Sequence, residues 1–232
     1  MAFKLAISAG HYLGTPGKRC PKELDPNETR EWWLNNRIAD KLENILSEYD
    51  GIEILRVDDT TGKKEVTLEQ RTDKANAWGA DFYLSIHHNA ADKIFSGGGI
   101  VAFAYTKPQK ASLEWQKALY DSAIKHTGLK GNRATPLAKK NLHEVRETRM
   151  PAVLMECGFM DSRVDCPQIL SENFADKMAK ALAEAIIERS GATPKPKTLY
   201  RVQCGCFANQ KNAEALLAKL RAAGFDGYIT TL

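Results

Sequence analysis

Short apolar runs bounded by turn residues alternate along the chain with longer stretches whose apolar positions recur every three or four residues. Residues 3–8, 52–57, 82–87, 99–105 and 152–157 read as strands, and 200–207 and 227–231 add two more near the end. Residues 33–49, 67–78, 112–126 and 173–189 carry the helical period. This alternation predicts an α/β domain: a mostly parallel twisted sheet flanked by helices, with a small β-α-β module after it. Local signals support the helix starts. Thr67 with Gln70 forms a capping-box pattern, and Asp25-Pro26-Asn27-Glu28 offers an N-cap, a proline at the first helical position and a glutamate at the third.

The pattern changes after Arg189. Residues 191–198 hold two prolines and two lysines, which makes a short, fairly stiff linker. The expected organisation is a catalytic domain over 1–190, a linker over 191–198 and a separate module over 199–232.

Composition narrows the class. With 232 residues, 43% hydrophobic and 27% charged, the chain can bury a core without disulfide support. The net charge of +4 is a mild basic excess whose cations are scattered among nearly as many acids. No clustered basic stripe marks a nucleic-acid partner, and no apolar stretch reaches the length of a membrane span. Five cysteines without paired metal-knuckle spacing are expected as reduced thiols, packed as small apolar groups. The first residues lack the pattern of a secretory signal, so synthesis in a cytoplasm is expected.

Parallel sheets of this kind bind ligands at the carboxyl ends of their strands. The first run ends on Gly10-His11, the third on His87-His88-Asn89, and the fifth carries Glu156 near its end. Glu31, Asn35, Ile38 and Leu42 share one helical face, so a carboxylate stands at the start of that face and looks toward the same rim. Two imidazoles and a carboxylate with one open position form a catalytic zinc set, and a further carboxylate could handle protons. The set fits zinc better than hard cations, which prefer all-oxygen sites. By spacing alone this signal is weak, and capping or surface polar groups are the leading account. Side-chain alternation lets only one of His87 and His88 face the site.

The residues "SAGH" at 8–11, "ETREWWLNNRIADKL" at 28–42, "LEQRTDKANAWGADFYLSIHHNA" at 68–90 and "RETRMPAVLMECGFMD" at 146–161 resemble the zinc-dependent N-acetylmuramoyl-L-alanine amidases of bacterial autolysins and phage endolysins. The resemblance implies that His11, Glu31 and His87 hold one zinc ion and that Glu156 is the catalytic glutamate. Glu31, Asn35 and Ala39 match the family's helical pattern, and Glu28 does not. His88 takes the place of the usual alanine, so it is expected to point away or to line the cleft edge. Tyr12 replaces a usual glycine, which implies a differently shaped loop over residues 12–20.

The implied activity is hydrolysis of the amide between N-acetylmuramic acid and L-alanine of the peptidoglycan stem peptide. A zinc peptidase on stem peptides and a catalytically silent wall-binding protein are the alternatives. Action on the cell wall would follow release from the cytoplasm, through a phage-made membrane hole or at mother-cell lysis. The last 34 residues resemble one half of a SPOR domain, a peptidoglycan-binding module, and two such halves could pair chains into a homodimer. Other polar residues have local accounts: Arg71 as a structural ion-pair partner, His126 at a helix end, and Trp32, Trp33, Trp78 and Trp115 in the core.

Overall fold

The computed structural model describes residues 2–196 and 202–231. In chain order the elements are β1 (Phe3–Ala9), α1 (Glu31–Leu46), β2 (Tyr49–Asp50), β3 (Ile52–Arg56), α2 (Leu68–Trp78), β4 (Phe82–Asn89), β5 (Val101–Ala104) and α3 (Lys110–Thr127). There follow β6 (Leu137–Lys139), α4 (His143–Arg146), β7 (Ala152–Phe159), α5 (Cys166–Ile169), α6 (Glu172–Ser190), β8 (Thr193–Pro194) and α7 (Gln210–Ala222). The contacts divide the chain into two units, Met1–Lys195 and Pro196–Leu232. No helix among the described residues is long and apolar enough to cross a membrane.

The first unit is built on a six-stranded sheet in the order β3-β1-β4-β7-β5-β6. Its strand pairs are parallel except β5 against β7. Alternate side chains of the strands supply two cores. Leu5, Ile7, Phe82, Leu84, Ile86, Val153 and Met155 meet the apolar faces of α1, α3 and α6 in the larger one. Ala6, Tyr83, Ala152 and Leu154 face the other way, with Ala75 of α2 and Val145 of α4. The period of two thereby sends Ser8, Ser85, His87 and Glu156 to the second face, and His88 and Cys157 to the first.

Thr67 caps α2 in a complete capping box with Gln70, as its sequence predicts. The Asp25 prediction is corrected. Helix α1 starts at Glu31, and Asp25 instead accepts the backbone N–H groups of Asn27 (3.1 Å) and Thr29 (2.7 Å) in a turn. Glu28 stands at φ 47°, a left-handed conformation that a helix cannot continue through. Its carboxylate pairs with Arg19 at 3.2 Å.

Residues 191–195, within the expected linker, begin on the first unit: β8 pairs with β2, and the Lys195 N–H donates to the Glu48 carbonyl at 2.8 Å. Residues 197–198 and the first three of the expected module, 199–201, lie outside the described residues.

The β-α-β expectation for the tail is also corrected. Among the described residues of the second unit only α7 forms, and 202–208 and 225–231 pair into no strand. One helix offers too little apolar cover to hold a two-stranded sheet. Val202, Phe225 and Tyr228 are accordingly exposed.

Candidate metal centre and active site

Three parts of the fold converge beyond the carboxyl ends of β1, β4 and β7. His11 follows β1 in a left-handed backbone conformation, φ 66°, which turns its ring back over the strand ends. Arg71 of α2 fixes this corner: its guanidinium donates to the carbonyls of Ala9 (2.6 Å) and His11 (2.8 Å) and to Ser8 Oγ (2.9 Å). It is therefore buried and structural. A bulge in β7 opposite His87–Asn89, with Gly158 at φ 111°, lets β4 and β7 end at one level.

Glu31 opens α1 and is buried beneath both rings. Its Oε1 lies 3.1 Å from His87 Nδ1, and its Oε2 lies 3.3 Å from His11 Nε2. The two rings meet edge to face, with centroids 5.0 Å apart. One ligand atom from each of His11, Glu31 and His87 lies within 4.8 Å of the others. Glu31 Oε2 is buried and has no aligned hydrogen bond, although His11 is near it and the Lys18 ammonium stands 3.8 Å away. An orphaned carboxylate oxygen between two imidazoles is the donor set that a small borderline cation satisfies.

Without a metal, the carboxylates make this a site that holds positive charge. Burial works against the charge on Glu31, but His11 and His87 hold its carboxyl well below the usual range. Burial likewise opposes charge on His87, and its bonds to Glu144 and Glu31 overcome it and raise the imidazole to about 10. At His11 burial wins and the pKa is lowered.

Glu156 is the Cα partner of His87 across β4 and β7, on the same face of the sheet. Its Oε2 is buried without a hydrogen-bond partner. Burial pushes its pKa up to about 7, against the lowering pull of His87. A cation at the neighbouring site would favour its carboxylate form, which can take a proton.

His88 takes the first of its two expected positions: it faces away from His87 and is buried under α1. Its Nδ1 pairs with Asn35 Oδ1 at 2.8 Å, and its backbone N–H donates to Glu31 Oε1 at 3.2 Å. Burial lowers its pKa to about 3, so it is a neutral strut between β4 and α1. Trp33, expected in the core, is 44% exposed. With Leu13 and Arg30 it lines a hollow of about 290 Å³ that the Tyr12 loop and the start of α1 build together.

Sequence reasoning missed Glu144. It is buried in α4, and its carboxylate stands 3.4 Å from His87 Nε2. No spacing announces it, because its partners come from β1 and β4, 57 to 136 residues earlier.

Residues 5–188 match the family described as N-acetylmuramoyl-L-alanine amidase. The chain belongs to that family. Over 227 residues this amidase is 32% identical to N-acetylmuramoyl-L-alanine amidase CwlM of Bacillus licheniformis, covering 97% of the chain and 84% of the relative. It is also 32% identical over 123 residues to an endolysin of Bacillus phage SPP1, covering 52% of the chain and 44% of the endolysin. The crystal structure of an N-acetylmuramoyl-L-alanine amidase from Clostridium difficile 630 superimposes with a TM-score of 0.72 at 26% identity. That superposition covers 81% of this chain and 96% of the other. A second family, the SPOR domain, matches residues 170–231. The match runs back through α6, whose Phe174, Met178, Leu182 and Ile186 are committed to the amidase core.

Proposed function

We propose that this amidase cleaves the bond between the lactyl group of N-acetylmuramic acid and L-alanine in peptidoglycan, with one zinc ion held by His11, Glu31 and His87. When bound, zinc supplies Lewis-acid activation of a water and of the scissile carbonyl. Glu156, as a carboxylate, takes a proton from the attacking water. It then delivers a proton to the nitrogen of the departing L-alanine. Glu31 fixes the angle between the two imidazoles, and Arg71 fixes the corner that carries His11.

The observation that carries this reading is the pairing of two unsatisfied oxygens. Glu31 Oε2 lacks a bond between two imidazoles, and Glu156 Oε2 lacks one on the same rim. Buried polar atoms are rarely left so without a ligand to meet them.

Mass spectrometry of digested muropeptides tests it, using chelated and zinc-reloaded protein and the Glu156→Gln variant. The expected result is free L-alanine amino termini, produced only after reloading and reduced by roughly a hundredfold or more in the variant. New termini within the stem peptide would transfer the activity to a peptidase. Undiminished cleavage by Glu156→Gln would remove Glu156 from its role.

The relation of the tail to SPOR domains, together with the exposed Val202, Phe225 and Tyr228, supports a tail that meets peptidoglycan and packs its apolar side chains against a second copy.

A further inference from the structure

The Glu144 carboxylate takes its partners from two strands and uses both oxygens. Oε1 accepts the hydroxyls of Ser8 (2.6 Å) and Tyr83 (2.7 Å). Oε2 accepts the hydroxyl of Ser85 (2.9 Å) and faces His87 Nε2 at 3.4 Å. Arg71 donates to Ser8 Oγ, which turns the Ser8 hydroxyl hydrogen toward the carboxylate. Ser8, Ser85, Tyr83 and Glu144 are all buried, in a part of the sheet otherwise lined by Ala6, Ala152 and Leu154.

This arrangement is costly for the fold. An apolar side chain on α4 with apolar partners on the strands would fill the same space without a buried charge. The charge balances the buried Arg71 guanidinium across Ser8, and it also faces one ring of the cation site. His87 has its Nδ1 toward Glu31 and the cation site, so Nδ1 must be bare to act as a ligand. A neutral imidazole then carries its hydrogen on Nε2, and Glu144 is the acceptor standing there.

We propose that Glu144 is a positioning residue: by accepting the Nε2–H of His87 it fixes the ring's tilt and tautomer and so tightens the hold on the metal. The inference rests on the reading of His11, Glu31 and His87 as the metal ligands. Ser8, Tyr83 and Ser85 in turn hold the carboxylate, so that it follows His87 rather than the solvent.

The test is zinc competition against a chromophoric chelator, on the full chain, for wild type, Glu144→Gln, Glu144→Asp and His87→Ala. Circular dichroism of each confirms folding, and nitrogen-detected imidazole NMR of the zinc-loaded protein reports the His87 tautomer. Glu144→Gln is expected to weaken zinc binding roughly ten- to a hundredfold and to shift the His87 Nε2–H signal, with the fold intact. Glu144→Asp keeps the charge on a shorter arm and should lie between it and wild type. His87→Ala should lose far more. Wild-type affinity and an unchanged signal in Glu144→Gln, beside a large loss in His87→Ala, would overturn the inference and leave the ligand set standing. Unchanged affinity in His87→Ala would overturn the ligand set itself. Should Glu144→Gln fail to fold, Glu144→Asp decides alone, and wild-type affinity there counts against the proposal.

Discussion

Gly10 and His87 compete for one volume: a Cβ built on Gly10 would overlap the imidazole of His87. The backbone of β1 passes so close to the ring that no other residue leaves it in place. Gly10→Ala should therefore displace His87 from Glu31. Such overpacking costs about 1–3 kcal/mol of stability. The larger expected effect is on metal retention, with zinc content after dialysis falling well below one ion per chain. Full zinc content in a folded Gly10→Ala protein would show that the ring can sit elsewhere and still bind.

Glu156 makes the stability of the metal-free protein depend on pH. Its folded pKa is about 7, above the ordinary 4.5. The native state therefore holds this proton more tightly, and the resulting stability is fully present below about pH 4.5 and is lost as pH rises through about 7. Glu156→Gln removes the penalty. In chelated protein the variant should gain on wild type by up to about 3 kcal/mol at pH 8 and by little at pH 5. Melting temperatures at the two pH values read the difference. An advantage equal at both would mean that burial of the charge is not its source.

Arg71 should act through folding. Replacing it with Met strands the carbonyls of Val66, Ala9 and His11, which it bonds at 3.0, 2.6 and 2.8 Å. The expected loss is roughly 2–5 kcal/mol, since each buried acceptor left unpaired is costly. Arg71→Lys should recover little, because an ammonium cannot span three divergent acceptors. A shift in the urea midpoint equivalent to less than about 1 kcal/mol would contradict this account.

The tail carries its own prediction. If the exposed apolar side chains of two tails pack on each other, sedimentation velocity should give a dimer for the whole chain. A chain ending at Lys195 should give a monomer, and so should one with Val202 and Tyr228 changed to Asp. Monomers throughout would rule out pairing through the tail.

Much of the catalytic unit is legible in the sequence. The alternation of apolar runs with helical periods gives five strands of the central sheet and four long helices. The Thr67–Gln70 capping box marks the start of α2 to the residue. His11, Glu31, His87 and Glu156 are named by strand-end logic and by family resemblance, and the fold brings them to one rim. Short elements escaped: β6 and α4, of three and four residues, hold too few positions to show a period. Glu28 escaped differently, because a proline and two acids imitate a helix start while a left-handed backbone makes a turn.

The sequence by itself determined which side chains alternate, and hence that His87 and His88 serve opposite faces of the sheet. A strand's period of two is a property of the backbone and needs no partner to express it. Only the tertiary structure decided what each face meets: Asn35 and the underside of α1 for His88, Glu31 and Glu144 for His87. Those partners lie 53 to 57 residues away along the chain. Their meeting is set by strand order and helix packing, which no local pattern encodes.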